Sequence, residues 1–333
     1  MSKEVSLTGI KPTGAPHIGN YLGAIKPALE LSDKYEARYF IADYHALNTI
    51  HDPELMRDYT YEIAATWIAC GLDPDKVMLY RQSDVPETFE LSTFLMAFTA
   101  KGLMNRAHAY KAAVQRNEEA ESDVDSGINM GLYTYPVLMA ADILLFDTDI
   151  VPVGKDQKQH VEITADVAQS INFIYKDELL RVPTAISSET TALIPGMDGR
   201  KMSKSYGNTI PLFLPKKKFR KMIMKIVTNS QEVEEKKDPE TCNVFALYKL
   251  FATEAQQDEL RQRYLAGGMG WGEAKQALFE VMDEQIAPMR EKYDSLMADK
   301  TYLDKILDEG AKKARAVASQ TIARLRKASG LGA

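Results

Sequence analysis

Cysteine is scarce in this chain: Cys70 and Cys242 are the only two among 333 residues, and they lie far apart. That excludes a disulfide framework and a cysteine-built metal cluster. Long apolar runs are missing as well. The densest, residues 137–146, is about half of what a bilayer-spanning helix needs, and it carries Asp142 inside it. The residues after Met1 enter a strand-like run at once, leaving no room for a secretory leader. A cytoplasmic location without membrane association is therefore expected. Internal repeats and low-complexity segments are absent too. What is present, 45% apolar and 26% charged residues with a net charge of −6, is ordinary for a globular protein and excludes a wholly disordered one. A length of 333 residues suits about two domains.

The charge is unevenly placed. Residues 199–228 hold nine basic side chains and no acidic one. From Ala311 onward Lys312, Lys313, Arg315, Arg324, Arg326 and Lys327 again meet no acid, whereas Glu118, Glu119, Glu121, Asp123 and Asp125 cluster. A charge run is usually a solvated face. Two concentrated positive blocks on an acidic chain also suit a polyanionic partner.

Strand-like runs fall at residues 5–10, 37–43, 77–81 and 150–153, with helical patterns at 18–35, 53–71, 88–106, 132–146 and from 157 to about 171. This alternation predicts right-handed crossovers and an α/β fold with a doubly wound parallel sheet. After Pro215 only helical patterns remain. The expected layout is an α/β domain at 1–210, with a helical insertion near 104–145, and an all-helical domain at 211–333 whose last helix packs back on the first. Pro27, inside the first helix, predicts a kink.

The first strand leads into Gly9-Ile10-Lys11-Pro12-Thr13-Gly14-Ala15-Pro16-His17-Ile18-Gly19-Asn20. Its glycines and prolines force a tight loop, and the helix after it starts near His17 with free N–H groups that form an anion site. His17 and Asn20, three apart, project from one side of the first turn. Gly19 lets a ring or phosphate approach the backbone closely. Neither a Walker loop nor the Gly-x-Gly-x-x-Gly dinucleotide fingerprint is present. Alone, this turn equally suits a helix-capping histidine. Far along the chain Lys201-Met202-Ser203-Lys204-Ser205 follows a glycine-rich approach. Two lysines three apart, with hydroxyls between and beside them, suit a triphosphate, although a short basic loop is often just exposed surface. Together the two segments resemble the signature motifs of class I aminoacyl-tRNA synthetases, and the resemblance covers nearly the whole chain.

Tyr135, Met139 and Asp142 stand at i, i+4 and i+7, on one face of a helix. Asp142 therefore points among apolar neighbours, where a carboxylate is costly unless it meets a donor. That donor is either a partner within the chain, such as an arginine or a backbone N–H, or a ligand such as an indole N–H, which has no acceptor side. Gln157 follows a strand that ends in a turn, at the carboxyl edge of the sheet where ligands of open α/β folds bind.

The run Tyr135-Pro136-Val137-Leu138-Met139-Ala140-Ala141-Asp142-Ile143-Leu144, followed by Val151-Pro152-Val153-Gly154-Lys155-Asp156-Gln157-Lys158-Gln159-His160, resembles bacterial tryptophanyl-tRNA synthetases. The resemblance implies that Asp142 accepts the indole N–H and that Tyr135 and Gln157 bind the α-amino group. His45, Met139, Val151 and Val153 would line the indole pocket, with Leu7 and Gly9 from the first strand. It also implies a triphosphate held by His17, Asn20, Lys201 and Lys204, with Lys204 tightening as its loop closes. Further ATP contacts would come from Lys11, Pro12, Thr13, Gly19, Gly154, Lys155, Asp156, Met202, Ser203 and Ser205, and from backbone near Leu193. Magnesium would be held mainly by the phosphates, with no dedicated protein metal site. The iron–sulfur cluster of some relatives needs four cysteines, which this chain lacks. Implied partners are L-tryptophan, ATP, tRNA(Trp) and a second copy of the chain.

Several positions depart from the family pattern. Lys11 stands where glutamine is usual, Leu7 replaces phenylalanine, and Lys155 replaces a common glutamate. Lys11 adds charge beside the substrate carboxylate or the phosphates, so altered affinity for substrates or tryptophan-mimicking inhibitors is expected. A phosphate-binding Phe-Lys-x-Lys stretch is reduced to Tyr110-Lys111-Ala112-Ala113, leaving only Lys111 to carry over. Three other readings compete: a tyrosyl-tRNA synthetase, a small nucleotidylyltransferase, and a synthetase-like paralogue without aminoacylation. The helix around Asp142 favours tryptophan over tyrosine. The long helical region disfavours a nucleotidylyltransferase, and the intact motif residues disfavour loss of catalysis.

Overall fold

The computed structural model describes residues 3–154, 157–186 and 194–332. Its centre is a parallel sheet of β1 (Val5–Ile10), β2 (Glu36–Ile41), β3 (Met78–Arg81), β4 (Ile150–Pro152) and β5 (Thr184–Ile186), in the order β3-β2-β1-β4-β5. The chain builds outward from β1 to one side and then returns to add β4 and β5 on the other. The switch between β1 and β4 opens a crevice at the carboxyl ends of the strands, where such sheets bind ligands. Strand side chains alternate between faces. Tyr39, Ile41 and Leu79 join one buried cluster, whereas Leu7, Phe40, Tyr80 and Val151 join the other. Both faces are thus covered, as a parallel sheet requires. β5 was not expected from the sequence: its three residues, Thr184–Ile186, follow Pro183 and include only one strongly apolar side chain.

The first helix is composite: α1 (Ile18–Asn20), a π-helical turn Tyr21–Ile25, and α2 (Lys26–Leu31). Pro27 sits in the first turn of α2. It has no N–H to donate, and the widened turn before it accommodates the ring. After β2 come α3 (Asp43–Ala46) and α4 (Pro53–Ala69), the latter capped by Asp52, which accepts the N–H groups of Glu54 and Leu55. The single helix expected at 88–106 is two, α5 (Glu87–Met96) and α6 (Lys101–Met104). Thr99 donates its hydroxyl to the Leu95 carbonyl at 2.8 Å and satisfies a group at the end of α5. The series continues with α7 (His108–Glu119), α8 (Met130–Leu144) and α9 (Lys158–Tyr175). From residue 216 on it is helical: α10 (Lys216–Ile223), α11 (Asn243–Tyr248), α12 (Glu254–Ala266), α13 (Trp271–Ala298) and α14 (Lys300–Ser329).

Helix α14 runs along β3, the edge strand, and shields it. Leu303 and Leu307 enter one core cluster, and Ala311, Ala314 and Ala318 enter the other. The close approach requires Gly310: a β-carbon there would lie 1.7 Å from the Leu79 carbonyl oxygen. That oxygen belongs to a paired strand and cannot move far. Gly310→Ala is expected to destabilise the protein by about 1–3 kcal/mol, the usual cost of overpacking. A lowered denaturant midpoint with an unchanged slope would record it, and an unchanged midpoint would contradict it.

Candidate active site

A cleft of about 940 Å³ opens at the β1/β4 switch. Leu7 and Gly9 of β1, Val151 of β4, Val153 just after it, and Met139 of α8 form its apolar walls. His45 and Asp142 line it as well, together with Tyr135, Gln157, Gly154 and Lys11. Every residue expected at an amino-acid pocket is therefore brought to one cleft. Gly9 has a steric role here: a β-carbon would meet the Phe40 ring at 2.4 Å. Phe40, absent from the expected set, lines the cleft and stacks on Tyr80 at 5.8 Å. The Tyr135 hydroxyl contacts the buried His160 ring.

Asp142 is 2% exposed yet lines the cleft. Its charge is not met by an arginine. Gln82 Nε2 donates to Oδ1 at 2.8 Å and to Oδ2 at 3.0 Å, and His45 Nε2 lies 2.9 Å from Oδ2. Burial raises the carboxyl pKa above its ordinary range, and the His45 and Gln82 contacts pull it back. The acid is thus not alone, as its sequence context suggested. A carboxylate offers about four lone-pair sites, and these contacts use three, which leaves Oδ1 able to accept one more donor. Gln82 is fully buried and went unnoticed in the sequence. Its only signal is a polar residue directly after a strand, which is too common to single it out.

The two distant loops also meet. Lys204 Nζ donates to the Thr13 carbonyl at 2.9 Å. Met202 is buried and its sulfur accepts the Gly19 N–H at 3.2 Å. His17 and Asn20 form a reciprocal cap: the Asn20 N–H reaches His17 Nδ1 at 3.3 Å, and Asn20 Oδ1 accepts the His17 N–H at 3.1 Å. Gly19 permits this, since a β-carbon there would lie 2.9 Å from the His17 ring. The group that approaches Gly19 is thus the neighbouring imidazole. Burial, and then the Lys204 charge, hold the His17 pKa down to about 4. At neutral pH the ring is uncharged, and because Nδ1 is the acceptor, Nε2 carries the proton. Burial also lowers the pKa of Lys204, opposed by Glu62.

Asn208 organises the lysine loop and was likewise missed. Its Oδ1 accepts the Ser203 N–H at 2.8 Å, and its Nδ2 donates to Asp198 at 2.7 Å and to the Lys201 carbonyl at 3.0 Å. Ser203 caps the short turn Lys204–Tyr206 through the Ser205 N–H. The Lys201 side chain is exposed, and Pro12, within the first loop, is buried. Lys111 stands apart: it is exposed on α7, which contributes Ala109 but not Lys111 to the cleft lining. Lys155, Asp156 and Leu193 lie outside the described residues. Among the described residues, no three His, Cys, Asp or Glu side chains group as a metal site, and no helix is long and apolar enough to cross a membrane.

The basic blocks differ. In the last helix Lys312 pairs with Glu309, Arg315 with Glu87, Arg324 with Asp147 and Arg326 with Glu90. Four of the six cations of that block are thus paired within the chain, whereas Lys313 and Lys327 form no ion pair among the described residues. On α10 Lys216 pairs with Asp283. Lys217, Lys218 and Lys221 on the same helix are exposed and form no ion pair among the described residues.

A β1/β4 cleft flanked by a His-capped helix and a lysine loop is the arrangement of a class I synthetase. The family described as tRNA synthetases class I (W and Y) matches residues 3–286, and the chain belongs to it. Its relatives point to one branch. The tryptophan–tRNA ligase of Xanthomonas axonopodis pv. citri is 50% identical over 98% of this chain and 76% of its own length. That of Neisseria meningitidis serogroup A is 48% identical over 99% of each chain. The crystal structure of tryptophanyl-tRNA synthetase from Campylobacter jejuni, complexed with ADP and tryptophan, is 44% identical with a TM-score of 0.91, covering 98% of this chain and 100% of that one.

Proposed function

We infer that the protein is a tryptophan–tRNA ligase: it activates L-tryptophan with ATP to tryptophanyl-adenylate and transfers the tryptophanyl group to tRNA(Trp). The observation that carries this reading is Asp142, buried in the wall of a largely apolar cleft with one acceptor site left on Oδ1. An indole N–H fits that acceptor, and Leu7, Met139, Val151 and Val153 fit the ring. Tyr135 and Gln157, on the same cleft, would hold the α-amino group.

Chemistry requires no nucleophilic side chain. The tryptophan carboxylate attacks the α-phosphorus of ATP in line, and pyrophosphate leaves; a terminal ribose hydroxyl of the tRNA then attacks the activated carbonyl, the acyl–phosphate bond breaks, and AMP leaves with the hydroxyl proton lost to solvent or phosphate. The protein positions the reactants and stabilises charge. Neutral His17 offers Nε2–H, Asn20 offers its amide, and Lys201 and Lys204 offer cations to the triphosphate. Magnesium would ride on the phosphates, supplying charge neutralisation there. The retained His17, Asn20, Lys201 and Lys204 support catalysis over a binding-only role. We place the protein in the cytoplasm as a homodimer, after the family pattern. ATP–pyrophosphate exchange tests the assignment: tryptophan should support it and tyrosine should not, and exchange driven by tyrosine would refute it.

We assign residues 1–210 to catalysis and 211–333 to tRNA recognition, with the exposed face of α10 meeting the phosphate backbone. Replacing Lys217, Lys218 and Lys221 together with alanine is expected to weaken tRNA binding. The log–log slope of affinity against salt should fall by about one for each phosphate no longer neutralised. An unaltered slope would move the tRNA path elsewhere.

A further inference from the structure

Three features stand outside the roles already given: the buried Lys237, whose ammonium is held by the Glu232 and Glu235 carbonyls beside Trp271; a smaller cavity beside the end of α14; and Gln82 behind the amino-acid pocket. The ammonium of Lys237 is satisfied by those carbonyls, and nothing in the structure shows what would occupy the cavity. We propose that Gln82 is a positioning residue for amino-acid specificity: it fixes the Asp142 carboxylate so that its remaining Oδ1 lone pair faces the indole N–H. This deepens the tryptophan reading and rests on it.

The geometry is a closed ring. Gln82 Oε1 accepts the Tyr44 N–H at 3.1 Å, so the amide cannot be reversed without opposing two acceptors. Its Nε2 must therefore face Asp142, where it spans both carboxylate oxygens at 2.8 and 3.0 Å. Tyr44 and His45 are neighbours on α3, and His45 is the second partner of Asp142. The frame is stitched once more by Asp43, whose carboxylate accepts both the N–H of Ser83 at 3.0 Å and the Ser83 hydroxyl. The residue after Gln82 is thereby tied to the residue before Tyr44. Gln82 is fully buried, so its amide is shielded from solvent. Removing it leaves the carboxylate one partner, about a torsion that is broad for aspartate.

The test is Gln82→Leu in pyrophosphate exchange, with tryptophan compared with an analogue that carries sulfur in place of the indole N–H. Wild-type enzyme should favour tryptophan strongly. In the variant the KM for tryptophan should rise about tenfold or more, the order of one charge-assisted hydrogen bond. The KM for ATP should stay near wild type, and the preference over the sulfur analogue should shrink by a similar factor. Equal losses for both amino acids would reduce Gln82 to packing and overturn the proposal, as would an unchanged tryptophan KM. Should the leucine variant fail to fold, Gln82→Met preserves the side-chain length without the amide and is read the same way. A wild-type protein without tryptophan-dependent exchange would instead sink the functional reading itself.

Discussion

Asp142→Ala raises the KM for tryptophan by roughly 10–100-fold, the scale of a lost hydrogen bond to a charged group, and narrows the preference for tryptophan over tyrosine. Discrimination between aromatic amino acids needs more than a shaped pocket. A site built to pair a polar substrate group rejects analogues lacking it, because its own polar group is left stranded. Alanine also strands the Gln82 amide and the His45 ring, so some loss of stability accompanies the kinetic effect. Asp142→Asn separates the two, keeping the volume and an acceptor oxygen but not the charge. Acidification provides a second view. Burial sets the carboxyl pKa above that of an exposed aspartate, so protonation removes the charge and weakens the acceptor at a higher pH than for an exposed acid. The KM for tryptophan should rise as pH falls through that raised value. An unchanged tryptophan/tyrosine ratio in Asp142→Ala would mean that the indole contact is wrongly placed.

Lys204→Ala lowers the single-turnover rate of adenylate formation by about 10²–10³-fold, the usual effect of deleting one preorganised transition-state donor, with little change in tryptophan affinity. Lys204 spans the two loops through Thr13, and its charge helps keep His17 neutral. Loss of the lysine should therefore also raise the His17 pKa toward its ordinary value. Burial, the larger cause of the depression, remains in the variant. Rapid-quench measurement of adenylate formation checks the rate, and a rate equal to wild type would remove Lys204 from the activation step.

Much of this architecture could be read from the chain because its signals are local. The strand runs at 5–10 and 77–81 lie in or next to the observed β1 and β3, and the loop from Gly9 to Asn20 has few conformations open to it. The spacing of Tyr135, Met139 and Asp142 placed all three on the cleft face of one helix. Features that depend on distant partners were not readable. Gln82 matters only because Asp142 and Tyr44 converge on it, and Asn208 only because the lysine loop folds over it. How far the C-terminal basic block is paired within the chain was not readable either, since its acidic partners Glu87, Glu90 and Asp147 lie far away in sequence. The π-helical turn before Pro27 reflects how a helix absorbs a missing donor, which composition alone does not specify.

The most direct measurement is pyrophosphate exchange by the unaltered protein with tryptophan, tyrosine and the sulfur analogue offered in turn. Rapid exchange with tryptophan, weak exchange with the analogue, and next to none with tyrosine are the expected results. Comparable rates with tryptophan and the sulfur analogue would contradict the central claim, because the Asp142 acceptor would then contribute nothing to recognition.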